Sequence, residues 1–204
     1  MNLIVEDERK KVTNDKTSQS LSKKGYFLIG LTGGVGVALS VICIPFISPA
    51  LRKICLPFVP ATNEQISNIT HALRGRSGSL IDLGSGDGRL VISAARKGFN
   101  ATGVELNLWL VCYSKLTTYI HGLSSNAKFI RKDLWKENLN VYDNVIIFGV
   151  EQMMEELERK FISELKDDCT VIVCRFPLPN LTPIKIVGHG IDSVWIYKFQ
   201  KKKF

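Results

Sequence analysis

The 204-residue chain has no Cys-x-x-Cys pair among its five cysteines, at positions 43, 55, 112, 169 and 174, and no histidine at metal-ligand spacing from any of them. No zinc site is implied, and the scattered histidines at 71, 121 and 189 read as surface or loop residues. The odd cysteine count argues against a secreted disulfide framework. Cys43 in an apolar segment, and Cys169 and Cys174 on a β-like run, fit buried free thiols in a reducing compartment. Charge is lacking where a nucleic-acid groove would need it. The formal net charge is +8, but residues 1–24 hold six basic and four acidic side chains, and Lys198 with the lysines of 201–203 adds four more. Only +2 remains for everything between, so the basic character belongs to the ends and nucleic-acid binding is disfavoured.

The longest absence is of charge altogether. Residues 25–51 contain no Asp, Glu, Lys or Arg and are long enough to cross a hydrocarbon core of about 30 Å as a helix, with the span centred on residues 26–47. Their many glycines would make a poor water-soluble helix but are common in membrane spans. Two dozen polar residues precede the segment, which a cleavable secretory signal does not have, so it reads as a retained anchor. Gly30, Gly34 and Ala38 recur every four residues on one face, a spacing that allows close helix packing. Lysines 23 and 24 and Arg52 with Lys53 flank the two ends equally, so the positive-inside rule sets no orientation. The polar leader, residues 1–24, is expected to be disordered. Prolines 57 and 60 stiffen the link that follows, and Thr62 with Gln65 predicts a capping box opening a pre-domain helix. The expected organisation is therefore a leader at 1–24, an anchor at 25–51, a linker and helix at 52–79, and one α/β domain at 80–204.

Within that domain, residues 82–88 read DLGSGDG, after the apolar Leu80 and Ile81 and before the helix-like RLVISAARKG. Glycines 84, 86 and 88 let the backbone turn sharply and approach a ligand closely. A dinucleotide loop has its third glycine one residue later, and Asp82 and Asp87 would repel a pyrophosphate. The same acids suit a cofactor bearing an ammonium and a sulfonium, that is, S-adenosyl-L-methionine. Glu105, 21 residues after Gly84 at the end of a second apolar run, is placed to accept from two ribose hydroxyls. Asp133 and Leu134 close the third run, where an adenine amino group would be met.

Strand-like and helix-like segments alternate as in a doubly wound sheet, and two final β runs, IKIVG and SVWIYKF, flank the turn HGID. Two successive strands without a helix predict a closing antiparallel hairpin, the addition that separates a seven-stranded methyltransferase sheet from a plain dinucleotide fold. The tryptophans at 109, 135 and 195 and the Met153–Met154 pair are read as packing residues.

DLGSGDGRLVI, GVELNLWLV, KFIRKDLW, FGVEQMM, CRFPLP and GIDSVWIY together resemble the small mitochondrial membrane-anchored family of protein-lysine methyltransferases, from the anchor to the last strand. Of its two branches, one methylates a lysine of the ATP synthase c-subunit and the other a lysine of the adenine nucleotide translocase. PFISPALRKICLPFVPAT and FGVEQMM are more similar to the ATP synthase branch. The resemblance implies a Rossmann-like fold with an N-terminal transmembrane helix, single-pass placement in the mitochondrial inner membrane, and a membrane-protein substrate. It assigns Asp82, Gly84, Gly86 and Asp87 to the methionine side of the cofactor, Glu105 to the ribose, and Asp133 with Leu134 to the adenine. Leu108 and Glu151 stand where the family pattern has prolines. GVEQMM is also not the Asp/Asn-Pro-Pro-aromatic run of amide and adenine methylases, and no catalytic residue is assigned. A nicotinamide oxidoreductase and a catalytically silent membrane scaffold are the competing readings.

Overall fold

The computed structural model describes residues 22–47 and 59–200. The chain divides at Ile42 into two compact units. Helix α1 (Lys23–Ile47), which begins in the first unit and runs past its end, is apolar along nearly its whole length. Its window Lys23–Cys43 has a mean hydropathy of 2.0, is long and apolar enough to cross a membrane, and is not buried against protein. Residues 1–21 of the expected leader and most of the proline-bearing link lie outside the described residues, while Lys23 and Lys24 begin α1.

The second unit is a seven-stranded sheet in the order β3-β2-β1-β4-β5-β7-β6. Its strands are β1 (Ser79–Leu83), β2 (Asn100–Glu105), β3 (Ala127–Arg131), β4 (Asn144–Phe148), β5 (Thr170–Cys174), β6 (Lys185–Val187) and β7 (Val194–Lys198). The first five are parallel, while β7 runs antiparallel to β5 and β6 antiparallel to β7, which is the closing hairpin expected from the sequence. Central strands such as SLIDL and TVIVC are buried almost throughout because both faces of the sheet are covered.

Helices α2 (Asn63–Ala72), α3 (Arg89–Ala95) and α4 (Leu108–Ile120) precede or follow β1 and β2, and α5 (Met154–Glu164) follows β4. Residues of α2, α3 and α4 share one apolar cluster with Leu80, Ile146 and Ile172. Those of α5 share a second with Ile81, Ile147 and Val173, so alternate side chains along each strand feed opposite layers. The capping box on α2 forms as predicted. Thr62 Oγ1 accepts from Gln65 N at 3.0 Å, and Thr62 N donates to Gln65 Oε1 at 2.9 Å. Ile69 and Leu73 then place this pre-domain helix in the core.

At the amino ends of the central strands Arg76 acts as a clamp. Its guanidinium donates to Asn144 Oδ1 at 3.1 Å, Asp143 O at 3.2 Å, Asp168 O at 2.9 Å and Asp168 Oδ2 at 3.1 Å. Asp143 is itself bonded to Ser79 N and Oγ and paired with Lys166 at 2.7 Å. Burial pushes its carboxyl up, but Lys166 and Ser79 together hold it down at about 2. This end of the sheet is opposite the carboxyl edge where parallel sheets bind ligands. Arg76→Ala should therefore cost about 1–3 kcal/mol of stability through the lost charged hydrogen bonds. Cofactor affinity should stay unchanged, as thermal melts and binding titrations on the same samples would check.

Candidate functional site

All seven residues singled out in the sequence lie at or just beyond the carboxyl ends of β1, β2 and β3. Asp82 is the penultimate residue of β1, and residues 84–88 form the turn into α3. Gly84, Gly86 and Gly88 have φ of 82°, 54° and 80°, a conformation that costs glycine little and other residues much. The turn folds back over β2, with Gly84 N and Ser85 N both donating to Val104 O, at 2.9 and 3.0 Å. Beneath it the packing is tight. A Cβ on Gly103 would lie 2.6 Å from Ser85 Oγ, and one on Gly88 would lie 2.6 Å from the Phe129 ring. Gly103 and Phe129 thus shape the loop from below.

Glu105 ends β2 and ties three segments together. Its Oε2 accepts from Gly86 N at 3.0 Å, and its Oε1 accepts from Leu106 N and Asn107 N, both at 2.8 Å. Asn107 caps α4 by accepting from Trp109 N at 2.9 Å, and Leu108 is the first residue of that helix. Proline is favoured at this position, and an ordinary residue replaces it without loss of a helical bond. At the end of β3 the structure differs slightly from expectation. The strand stops at Arg131, and Asp133 caps a short 3-10 turn, Leu134–Lys136, accepting from Trp135 N at 3.2 Å.

The electrostatics concentrate on Asp82. It is 2% exposed, and its Oδ1 has no hydrogen-bond partner. Burial first, then repulsion from Glu105 and Asp87, raises its carboxyl to about 8, so it carries a proton at neutral pH. Asp87, expected to help attract a cation, is engaged in an ion pair within the turn. Arg89 binds both of its oxygens, with Nη2 to Oδ2 at 2.6 Å and Nε to Oδ1 at 3.0 Å, and passes a further bond to Ala61 O at 2.7 Å. The reason is local geometry, since two residues along the turn the guanidinium lies beside the carboxylate.

Across the same edge, β4 is followed by Gly149, Val150 and the short turn Glu151–Met153, whose Glu151 is exposed. β5 is followed by Arg175 at φ 75°, a left-handed conformation unusual for a side-chain-bearing residue. The segment after it is held by Tyr197 Oη, which accepts from Leu178 N at 2.9 Å, and by the buried Glu158, which accepts from Asn180 N at 2.9 Å. Sequence reasoning missed Arg89, Gly103 and Phe129. Gly103 left a signal, because an isolated glycine inside a strand pattern marks a close approach of another segment. The buried thiols were expected correctly at Cys169 and Cys174, whereas Cys43 is exposed on α1.

Among the described residues no group of three His, Cys, Asp or Glu side chains is placed to hold a metal ion. What the site offers is a buried acid without a partner, a carboxylate braced by backbone N–H groups, and a glycine turn open to close approach. An acid whose proton is held in the fold but lost on unfolding makes the native state less favourable as pH rises from about 4 to about 8. Asp82→Asn lacks this penalty. In ligand-free thermal melts its midpoint should rise relative to the parent chain across that window and then level off above it. Parallel curves would refute the burial account.

Known proteins provide an independent comparison. The family model for the ANTKMT methyltransferase domain matches residues 82–185, and that for the ATP synthase subunit-C lysine N-methyltransferase N-terminal domain matches residues 18–52. The ATP synthase subunit-C lysine N-methyltransferase of Homo sapiens is 56% identical over 86% of this chain and 76% of its own length. The protein of that name from Caenorhabditis elegans is 46% identical over 85% of this chain and 96% of its own. The adenine nucleotide translocase lysine N-methyltransferase of Mus musculus is 39% identical over 83% and 76% respectively. Among solved structures, an RNA methyltransferase from Salinibacter ruber in complex with S-adenosyl-L-homocysteine superposes with a TM-score of 0.67 at 22% identity, covering 71% of this chain and 96% of that one. That likeness establishes the sheet and helix arrangement of the methyltransferase fold. Together with the sequence matches at both ends of the chain, it makes this protein a member of the ATP synthase subunit-C lysine N-methyltransferase family.

Proposed function

We propose that the chain is an S-adenosyl-L-methionine-dependent protein-lysine N-methyltransferase acting on a lysine of the ATP synthase c-subunit. The observation that carries this reading is the 56% identity to the human enzyme named for that activity over 86% of this chain. The match of residues 18–52 to that enzyme's N-terminal domain supports the ATP synthase branch over the translocase branch.

The residues present fit the cofactor on grounds independent of any relative. The buried, unpartnered Oδ1 of Asp82 would be stabilised as an anion by a cationic ligand group, and Glu105 retains acceptor capacity for ribose hydroxyls. Asp82, Gly84, Gly86 and Asp87 would border the methionine side, Glu105 the ribose, and Asp133 with Leu134 the adenine. When bound, S-adenosylmethionine supplies a methyl group activated by its sulfonium.

The chain's own task is placement. A lysine of ordinary pKa ~10.4 must lose its proton before it can attack, and desolvation at the carboxyl edge favours the neutral amine. Alignment in a near-attack geometry then provides most of the rate, without a dedicated base. Glu151, exposed in the turn that follows β4, would hold the incoming ammonium.

We further propose single-pass insertion into the mitochondrial inner membrane through α1, with the organisation of leader 1–24, anchor 25–51, linker and helix 52–79 and methyltransferase domain 80–204. The uncharged Lys23–Cys43 window beyond its first two residues supports the span. The bond from Arg89 to Ala61 O supports a link held against the cofactor turn, so that a tethered domain would meet a membrane substrate at high local concentration.

Mass spectrometry of mitochondrial membrane proteins tests the whole reading. Cells lacking the chain should lose lysine methylation on the ATP synthase c-subunit, and the intact chain should restore it while Glu105→Ala should not. Loss confined to the translocase would overturn the branch, and no change on either would leave the scaffold reading in its place.

A further inference from the structure

Helix α4 (Leu108–Ile120) is built inside out. The residues it buries are Val111, Ser114 and Thr118, two of them hydroxyl-bearing, and Thr118 Oγ1 has no partner. The large apolar residues it exposes are Leu108, Trp109, Tyr113, Leu116, Tyr119 and Ile120, between 38% and 76% exposed. Trp109, Tyr113, Leu116 and Ile120 follow each other at four, three and four residues, which is one continuous helix face. Lys115 is the sole charged side chain in the thirteen-residue helix. A helix on the surface of a water-soluble domain carries the opposite pattern, so this face is made for an apolar neighbour.

What that neighbour is follows from the surroundings. Asn63 and Ile66 of α2 and Tyr113, Thr117 and His121 of or beside α4 line one cleft of about 580 Å³. The chain therefore enters the domain on the side that carries the exposed face. Only eleven residues, 48–58, join Ile47 to Val59, so a bilayer holding α1 could lie no further than about 40 Å from the point of entry. The same cleft is lined by Arg96 and Lys97, while its one acid, Asp87, is taken by Arg89. A face of Trp, Tyr, Leu and Ile beside cations without an ion pair among the described residues has the composition of a helix lying in a membrane interface. There aromatic rings sit at headgroup depth and Arg and Lys meet lipid phosphates. A second copy of the chain would bring the same cations to the contact and no acid on α4 to answer them.

We infer that α4 docks in the surface of an anionic bilayer, giving the domain a second membrane contact besides the span. This inference rests on the reading of α1 as a membrane anchor. The contact would fix which way the carboxyl edge faces, something a single span alone cannot do.

The test uses the full chain with Trp135→Phe and Trp195→Phe, leaving Trp109 as the reporter, reconstituted into phosphatidylcholine–phosphatidylglycerol vesicles with brominated acyl chains. Flotation of the vesicles reports the anchor, and Trp109 emission reports the contact. Docking predicts flotation together with quenching that is stronger for bromines near the headgroup than for those near the chain ends. It also predicts that Tyr119→Glu with Ile120→Glu abolishes the quenching while leaving flotation and the circular dichroism spectrum intact. A chain that floats with Trp109 unquenched overturns the docking inference alone. A chain that does not float overturns the anchor reading and this inference with it. Self-association abolished by Leu116→Glu, with no quenching in the parent, would assign the face to a second copy instead.

Discussion

The carboxylate of Glu105 accepts from three backbone N–H groups, those of Gly86, Leu106 and Asn107, and the geometry of the ligand edge depends on that convergence. One side chain at the end of β2 fixes the turn that leaves β1 and the start of the helix that leaves β2. The turn can be held so close only because Gly86 adopts positive φ and because Gly103, directly beneath, has no side chain. The outcome is three acids in one small region. Asp87 is paired with Arg89 and Glu105 accepts from backbone N–H groups, whereas Asp82 has neither and, buried beside both acids, keeps its proton. On the proposed reading, a cationic cofactor group would supply the counter-charge that lets Asp82 ionise.

The rest of the fold serves to hold that region still. Both faces of the sheet are covered, and the amino ends of β4 and β5 are clamped by Arg76 with Asp143 and Asp168. The hairpin that closes the sheet is gripped from the other side by α2. Thr62 Oγ1 donates to Asp192 Oδ1 at 2.7 Å, Gln65 Nε2 to Ile191 O at 2.8 Å, and Asn68 Nδ2 to Asp192 O at 3.0 Å. The pre-domain helix is therefore bonded to the hairpin turn, and Ala61 O just before it is bonded through Arg89 to the glycine turn. The segment just before the domain helix and the glycine turn are thus parts of a single bonded network.

Much of this was legible from residue patterns. The glycines of DLGSGDG, the spacing to Glu105, the alternating strand and helix periods and the paired final strands each reflect a local rule acting on a few neighbouring residues, and each reappears in the structure. The capping box of Thr62 and Gln65 was likewise a short-range signal. What escaped were contacts between segments far apart in sequence or choices among local partners. Asp87 read as a cation trap because a sequence does not show that Arg89 folds back on it. Phe129 read as an ordinary strand residue because its place under Gly88 depends on strand order. The exposed face of α4 escaped for a related reason. Its apolar period is plain in the sequence, but which side of the helix meets the sheet is decided by the tight fit of Ser114, whose Oγ donates to Gly86 O at 3.3 Å.

The most direct test of a cation-accepting site is calorimetry of S-adenosylmethionine binding to the full chain near neutral pH, in buffers of different ionisation enthalpy. If Asp82 is protonated in the free protein and ionises against the bound ammonium, binding releases about one proton, the parent binds more tightly as pH rises towards 8, and Asp82→Asn abolishes the release. Binding with no proton exchange, equal in the parent and the variant, would contradict the account.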